Sequence, residues 1–318
     1  MTGMEEQKQP FNPLLAVLAA LAALFFVFPL IGMITGAPWG NVFGIITSQS
    51  SLDALGLSII ASLASTVIAL LFGFPLAWLL ARGSFPGKGV VRGLTTLPMV
   101  LPPVVGGIAL LLAYGRRGFI GEPLDKAFGI SLPFTLAGVI VAESFVAMPF
   151  FVITVESGLR SMNRRLEDAA RSLGARRLTV FRRVTLPLIW PSLAAGTVLT
   201  WARALGEFGA TITFAGNLPG RTQTMPLAIY VSQSSGKMAE AIALSLVLVV
   251  VSLVVMVFRR RLAGGTDRSC SKRTSSCACP GSTWTRRSRW AWRGPWPRLA
   301  RARCPAASSS VWPWPAPW

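Results

Sequence analysis

Glu167-Asp168-Ala169-Ala170-Arg171-Ser172-Leu173-Gly174, nine further residues, and then Val184-Thr185-Leu186-Pro187 form the stretch on which the reading of this chain turns. It predicts two short helices joined by a sharp turn. Acidic residues near the positive N-terminal end and alanines on one face favour the first helix. Gly174 accepts a backbone conformation that other residues resist, so the helix ends there. The second helix closes before Pro187, because a residue preceding proline is pushed out of the helical region.

On both sides of this polar connection the chain turns apolar. Of its 318 residues 52% are hydrophobic and 14% charged, and its mean hydropathy is positive, a balance foreign to soluble domains. A bilayer core of about 30 Å needs roughly 20 apolar residues in helical form, since lipid offers no partner to a free amide. Six stretches qualify, near Leu14–Ile34, Leu57–Leu80, Gly93–Tyr114, Leu132–Ile153, Leu188–Phe214 and Ala241–Phe258. The expected fold is therefore all-α and polytopic, with six transmembrane helices. The sequence contains no histidine, which excludes a His general base, a Ser-His-Asp triad and a His-ligated zinc site.

The first apolar run reads as a retained anchor rather than a cleaved leader: Glu5 and Glu6 outweigh Lys8 ahead of it, and the run is long. With the N-terminus inside, fifteen Lys and Arg fall in cytoplasmic segments, eight of them between Arg160 and Arg183, against five outside. The positive-inside rule thus places both termini in the cytoplasm. Pro98, Pro102 and Pro103, followed by Gly106 and Gly107, break the third span, and Pro75 and Pro149 interrupt the second and fourth. Such prolines either kink helices around a pathway or are ordinary transmembrane prolines, and composition alone leaves both open.

The loop 159–187 resembles the EAA loop of ABC importer permeases. That pattern is an acidic residue, two alanines, three others, glycine, nine others, an aliphatic residue, one other and Leu-Pro. Asp168, Ala169, Ala170, Gly174, Val184, Leu186 and Pro187 fit it, with Asp in place of Glu at the first position. Two further stretches, Leu97 to Val105 leading to Gly115-Arg116-Arg117-Gly118, and Glu207 to Thr211 leading to Ala215 through Thr224, are similar to molybdate permeases. Sulfate and thiosulfate permeases are similar over the second stretch. The resemblance covers residues 10 to 260. It implies the type I ABC importer permease fold in the plasma membrane, two copies around a central path, two cytoplasmic ATPase subunits that hold ATP and Mg, and an extracytoplasmic oxyanion-binding protein. It also implies that Glu167, Asp168, Ala169, Ala170, Gly174, Val184, Leu186 and Pro187 couple this chain to the ATPase. No cofactor is then expected on this chain, and no G-x-x-x-x-G-K-[ST] phosphate loop is present in it.

Arg203 and Glu207 lie four residues apart inside the fifth span, hence on one helix face. Charges at that depth pair or face water. Either they neutralise each other and shape the bundle, or they gate the path, and Glu143 is a second candidate partner for Arg203. Thr200, Gly209, Thr211 and Thr213 offer hydroxyls and backbone amides to a dianion at the same depth.

Three regions follow: a cytoplasmic N-terminus, 1–13; a permease domain, 14–262; and a tail, 263–318. The permease region and its leader hold 21 Lys and Arg against 11 Asp and Glu, the tail 10 against 1. All four cysteines and seven of the eleven tryptophans lie in the tail, which lacks Phe, Ile, Met, Tyr, Asn, Gln and Glu. Cys277 and Cys279 match no zinc spacing. Interleaved Arg and Trp read either as a surface for lipid or nucleic acid or as an irregular segment translated out of frame after a shift near Ala263. The second reading is preferred, with membrane lipid rather than nucleic acid as the chain's surroundings. From another class, a non-transporting membrane sensor or scaffold shares the same loop.

Overall fold

A computed structural model describes residues 13–274, with side chains through residue 257 apart from 15 and 256. The chain divides into a unit ending at Arg273 and a second beginning at Thr274. Every regular element among the described residues is helical: α1 (Pro13–Thr35), α2 (Val42–Ile46), α3 (Gln49–Ile68), α4 (Phe74–Arg82), α5 (Lys88–Val100), α6 (Pro103–Tyr114), α7 (Gly121–Phe128), α8 (Leu136–Ser161), α9 (Arg165–Ser172), α10 (Arg177–Val180), α11 (Leu186–Leu205), α12 (Gly209–Phe214), α13 (Met225–Ser234) and α14 (Met238–Thr274). Among the described residues five segments are long and apolar enough to cross a membrane: Ala16–Thr35, Gln49–Arg82, Leu136–Ser161, Arg177–Leu205 and Met238–Val255, with Pro103–Tyr114 a shorter apolar helix.

Prolines shape the spans. α3 runs into α4 through a π-helical turn, Ala69–Gly73, just before Pro75, and α10 runs into α11 through another, Phe181–Thr185, just before Pro187. A proline lacks the N–H that would answer the carbonyl four residues back, and a widened turn accommodates the loss without breaking the helix. In the third span the effect is stronger. Leu101 and Pro102 both precede a proline and are extended, with ψ of 136° and 134°, so the span is two helices, α5 and α6, as the Pro-Pro pair predicts.

The fifth span is also discontinuous, although no proline marks the place. α11 stops at Leu205 and α12 starts at Gly209. The side chain of Glu207 takes over a backbone donor, its Oε1 accepting from Ala210 N at 3.0 Å. The sequence reading carried one helix through to Phe214, because hydropathy does not register a carboxylate that caps a new helix. Most other boundaries shift outward: the second span begins at Gln49 and the last helix continues to Thr274, whereas the fourth starts four residues later than expected, at Leu136 behind the Thr135 cap, whose hydroxyl accepts from Gly138 N at 3.1 Å, and runs on to Ser161. The irregular tail expected from residue 263 is thus helical to 274, and 275–318 lie outside the described residues.

α8 is the hub. On its C-terminal half Phe151, Val152, Val155 and Leu159 pack with Leu80 and Ile189, and on its N-terminal half Ala142 and Val146 pack with Leu110, Ala210 and Phe214. The face of α3 turned to the bundle carries serines that bond across helices: Met225 N donates to Ser58 Oγ at 2.7 Å, Trp201 Nε1 to Ser62 Oγ at 3.0 Å, and Ser65 and Ser144 hydroxyls meet at 3.2 Å. Small polar residues let helices approach closely while satisfying one another in lipid. α1, by contrast, buries nothing across its span. Phe25, Phe26 and Phe28 stand exposed on it, as a helix in contact with hydrocarbon requires.

Candidate functional site: a coupling loop and a broken-helix crossing

Between the fourth and fifth spans α9 is short and its C-terminal end is well defined. Gly174 has φ +81°, Gly174 N donates to Arg171 O at 2.9 Å and Ala175 N to Ala170 O at 3.1 Å. This is a Schellman closure, which glycine favours for lack of a Cβ. The helix shows two unlike faces. Leu166, Ala169 and Leu173 are exposed, Leu173 to 89%, an apolar stripe at helical spacing that nothing in the described chain covers. Asp168 is exposed beside Arg171, its carboxylate 3.6 Å from the guanidinium.

Glu167 points the other way and is buried. A single oxygen, Oε1, accepts from Arg82 Nη2 at 3.0 Å and from Thr185 Oγ1 at 2.7 Å. The sequence reading grouped Glu167 with the residues that meet the ATPase, but its carboxylate faces into this chain. Val184 and Leu186 are half-buried at the start of the fifth span, and Pro187 is exposed. Next to this contact Glu156 pairs with Arg92 of α5 and, at 2.9 Å, with Arg160 one turn on. Arg160 Nη2 also donates to Leu80 O at 3.3 Å. Arg82, Arg92, Glu156, Arg160 and Thr185 belong to no motif. In the sequence the four charged residues register only as charges beside apolar stretches, and Thr185 gives no signal.

The two broken spans meet beside their breaks. A Cβ on Gly209 would lie 2.7 Å from Pro103 Cβ, and one on Gly107 would lie 2.8 Å from Thr213 Cβ and 2.9 Å from Ala210 O. α6 and α12 therefore touch backbone to backbone beside both breaks. Arg203 and Glu207 form the ion pair that their spacing predicts, Nη1 to Oε2 at 2.6 Å. Glu143 makes no ion pair with Arg203; it is buried on α8, and its Oε2 has no hydrogen-bond partner. Thr200 and Thr211 are fully buried with free hydroxyls, and Thr213 Oγ1 returns its bond to Gly209 O at 2.9 Å. Of the six residues expected along a path, Arg203 and Thr213 keep partial exposure, Gly209 is a packing contact, and Thr200, Glu207 and Thr211 are enclosed in this conformation. No cluster of three or more metal-ligating side chains occurs among the described residues.

These features have counterparts in known proteins. Residues 69–268 match the family described as binding-protein-dependent transport system inner membrane component. The molybdenum transport system permease protein ModB of Mycobacterium tuberculosis is 48% identical over 252 residues, covering 79% of this chain and 95% of that protein. The ModB of Escherichia coli K12 is 43% identical over 212 residues, 66% of this chain and 93% of its own length. Among solved structures, a bacterial ABC transporter involved in import of the acidic polysaccharide alginate superposes with a TM-score of 0.62 at 22% identity, over 80% of this chain and 95% of that one. The MetNI methionine ABC transporter superposes with 0.53 at 18% identity, over 69% and 99%. These two likenesses concern the fold alone. With two broken spans, a short exposed helix between the fourth and fifth and similarity along nearly the whole length of two bacterial permeases, the chain belongs to the family of binding-protein-dependent transport system inner membrane components, the permeases of ABC importers.

Proposed function

We propose that this chain is the membrane subunit of an ATP-driven importer of molybdate or tungstate. It forms the path as a homodimer, with both termini in the cytoplasm, and leaves ATP and Mg to two separate ATPase subunits. An extracytoplasmic receptor delivers the anion, so the chain itself needs no cofactor. The observation that carries the coupling role is the uncovered apolar stripe on α9, Leu166, Ala169 and Leu173, held at the cytoplasmic end by a closed turn. Burying such a face against a groove of the ATPase supplies about 25 cal/mol per Å² of apolar area. The choice of molybdate rests on the similarity to molybdenum permeases along most of their length.

The crossing supports a reading of translocation by alternating access. The closely packed contact of α6 with α12 seals the outer half of the bundle, and displacement of α9 by the ATPase shifts the two spans that flank the coupling loop. Discontinuous helices let each half move as a rigid piece. A cysteine at Leu173 should cross-link to the cognate ATPase subunit, and hydrolysis by the assembled complex should rise when molybdate-loaded receptor is added. No cross-link together with no receptor response would leave the sensor or scaffold reading in its place.

A further inference from the structure

We propose that Glu167 is a positioning residue that locks the coupling helix to two transmembrane spans at once. This proposal rests on the coupling role given above and names the atoms that transmit it. The seven-position pattern of the loop starts at Asp168 and does not include Glu167. Asp168 is exposed, whereas Glu167 is buried and directed into the permease. Its Oε1 receives Arg82 from the last residue of α4 and Thr185 from the π turn that opens the fifth span. One carboxylate oxygen thus connects α9 to the cytoplasmic ends of the second and fifth spans.

The surroundings hold the Arg82 end in place. Its guanidinium carbon lies 5.8 Å from the centre of the Trp78 ring, and the side chains of Arg82 and Glu167 are only 13% and 9% exposed. Two residues upstream, Leu80 O accepts from Arg160 of α8. The end of α4 is therefore gripped by α8 and α9 together. A desolvated, hydrogen-bonded charge pair has a narrow optimum in distance and angle. Displacement of α9 then either carries Arg82 and Thr185 with it or breaks the contact. The Thr185 bond lies on a π turn, a helical irregularity frequent at functional sites. A push on α9 thereby becomes movement of the fifth span, whose far end carries the Arg203–Glu207 break.

The test uses the complete complex of permease, ATPase and receptor in proteoliposomes, with molybdate as probe and ATP hydrolysed per molybdate imported as readout. Glu167→Gln keeps the volume and an acceptor for Thr185 but removes the charge facing Arg82. It should assemble with the ATPase and raise the ATP-per-molybdate ratio about tenfold, within the usual range of coupling between sites. Thr185→Val should raise it less, and the exchanged pair Arg82→Glu with Glu167→Arg should recover a large part of the loss. A residue needed only for folding would lower the yield and leave the ratio of the surviving complex unchanged. An unchanged ratio in Glu167→Gln overturns the proposal, as does an unchanged ratio in Thr185→Val should the glutamine variant not assemble. Wild-type complex is measured first: if its hydrolysis ignores the loaded receptor, the transport reading itself fails, separately from the role of Glu167.

Discussion

The Arg203–Glu207 pair gives a prediction whose asymmetry comes directly from the structure. The two groups are 2.6 Å apart, but their side chains differ in exposure, 29% for arginine and 1% for glutamate. Arg203→Met leaves an enclosed carboxylate with no counter-ion and should destabilise the protein by about 3–5 kcal/mol. Glu207→Gln leaves a cation that reaches its surroundings and keeps an oxygen for Ala210 N, so about 1–2 kcal/mol is expected. The double variant should cost about 1–3 kcal/mol less than the sum of the singles, the usual range for interacting neighbours. At about 2–4 °C per kcal/mol for a domain of this size, Arg203→Met lowers the midpoint by roughly 6–20 °C. Heating purified protein in detergent and measuring the monodisperse fraction by size exclusion reads this out. Additive losses, or a glutamine variant less stable than the methionine one, would refute the pairing and the burial that underlies the asymmetry.

Three further outcomes are expected. Gly174→Trp should abolish co-purification with the ATPase while the protein still inserts, because a side chain at φ +81° strains the turn although open space surrounds it; normal complex and uptake would remove the coupling role from the loop. Gly107→Val should lower thermal stability by about 1–3 kcal/mol or more through overpacking against Thr213 and Ala210 O, and an unchanged melting profile would show that α6 and α12 do not touch there. Truncation after Leu262 should leave assembly and uptake intact, since the spans and coupling loop are complete by then, and loss of either in the shortened protein would give residues 263–318 a function.

How much of this was legible in the sequence depends on what each feature is made of. The first, second, fourth and sixth spans announce themselves by length and hydropathy, and the break in the third by Pro102 and Pro103, because a proline's constraint is local and unconditional. The Gly174 turn is equally local. The break after Leu205 was not visible: Gly206-Glu207-Phe208 interrupts a helix through a side chain capping a backbone donor three residues on. The Arg203–Glu207 pair could be read from its spacing, because four residues bring the two side chains together even though Glu207 lies just past the end of α11. The contact of Glu167 with Arg82 and Thr185 could not, because Arg82 is 85 residues away and nothing in the sequence states which way a carboxylate on α9 will face. Ion pairs that hold different spans together are set by three-dimensional approach, and a single sequence records only their charges.

The central claim, that the chain carries an oxyanion of the molybdate class at the expense of ATP, has a direct test. The permease is reconstituted with its ATPase and receptor in sealed proteoliposomes containing ATP, and accumulation of molybdate is followed against competing tungstate and sulfate. The account predicts ATP-dependent molybdate uptake that tungstate suppresses and equimolar sulfate leaves largely intact. Sulfate transport equal to or faster than molybdate transport, or uptake independent of ATP, would contradict it.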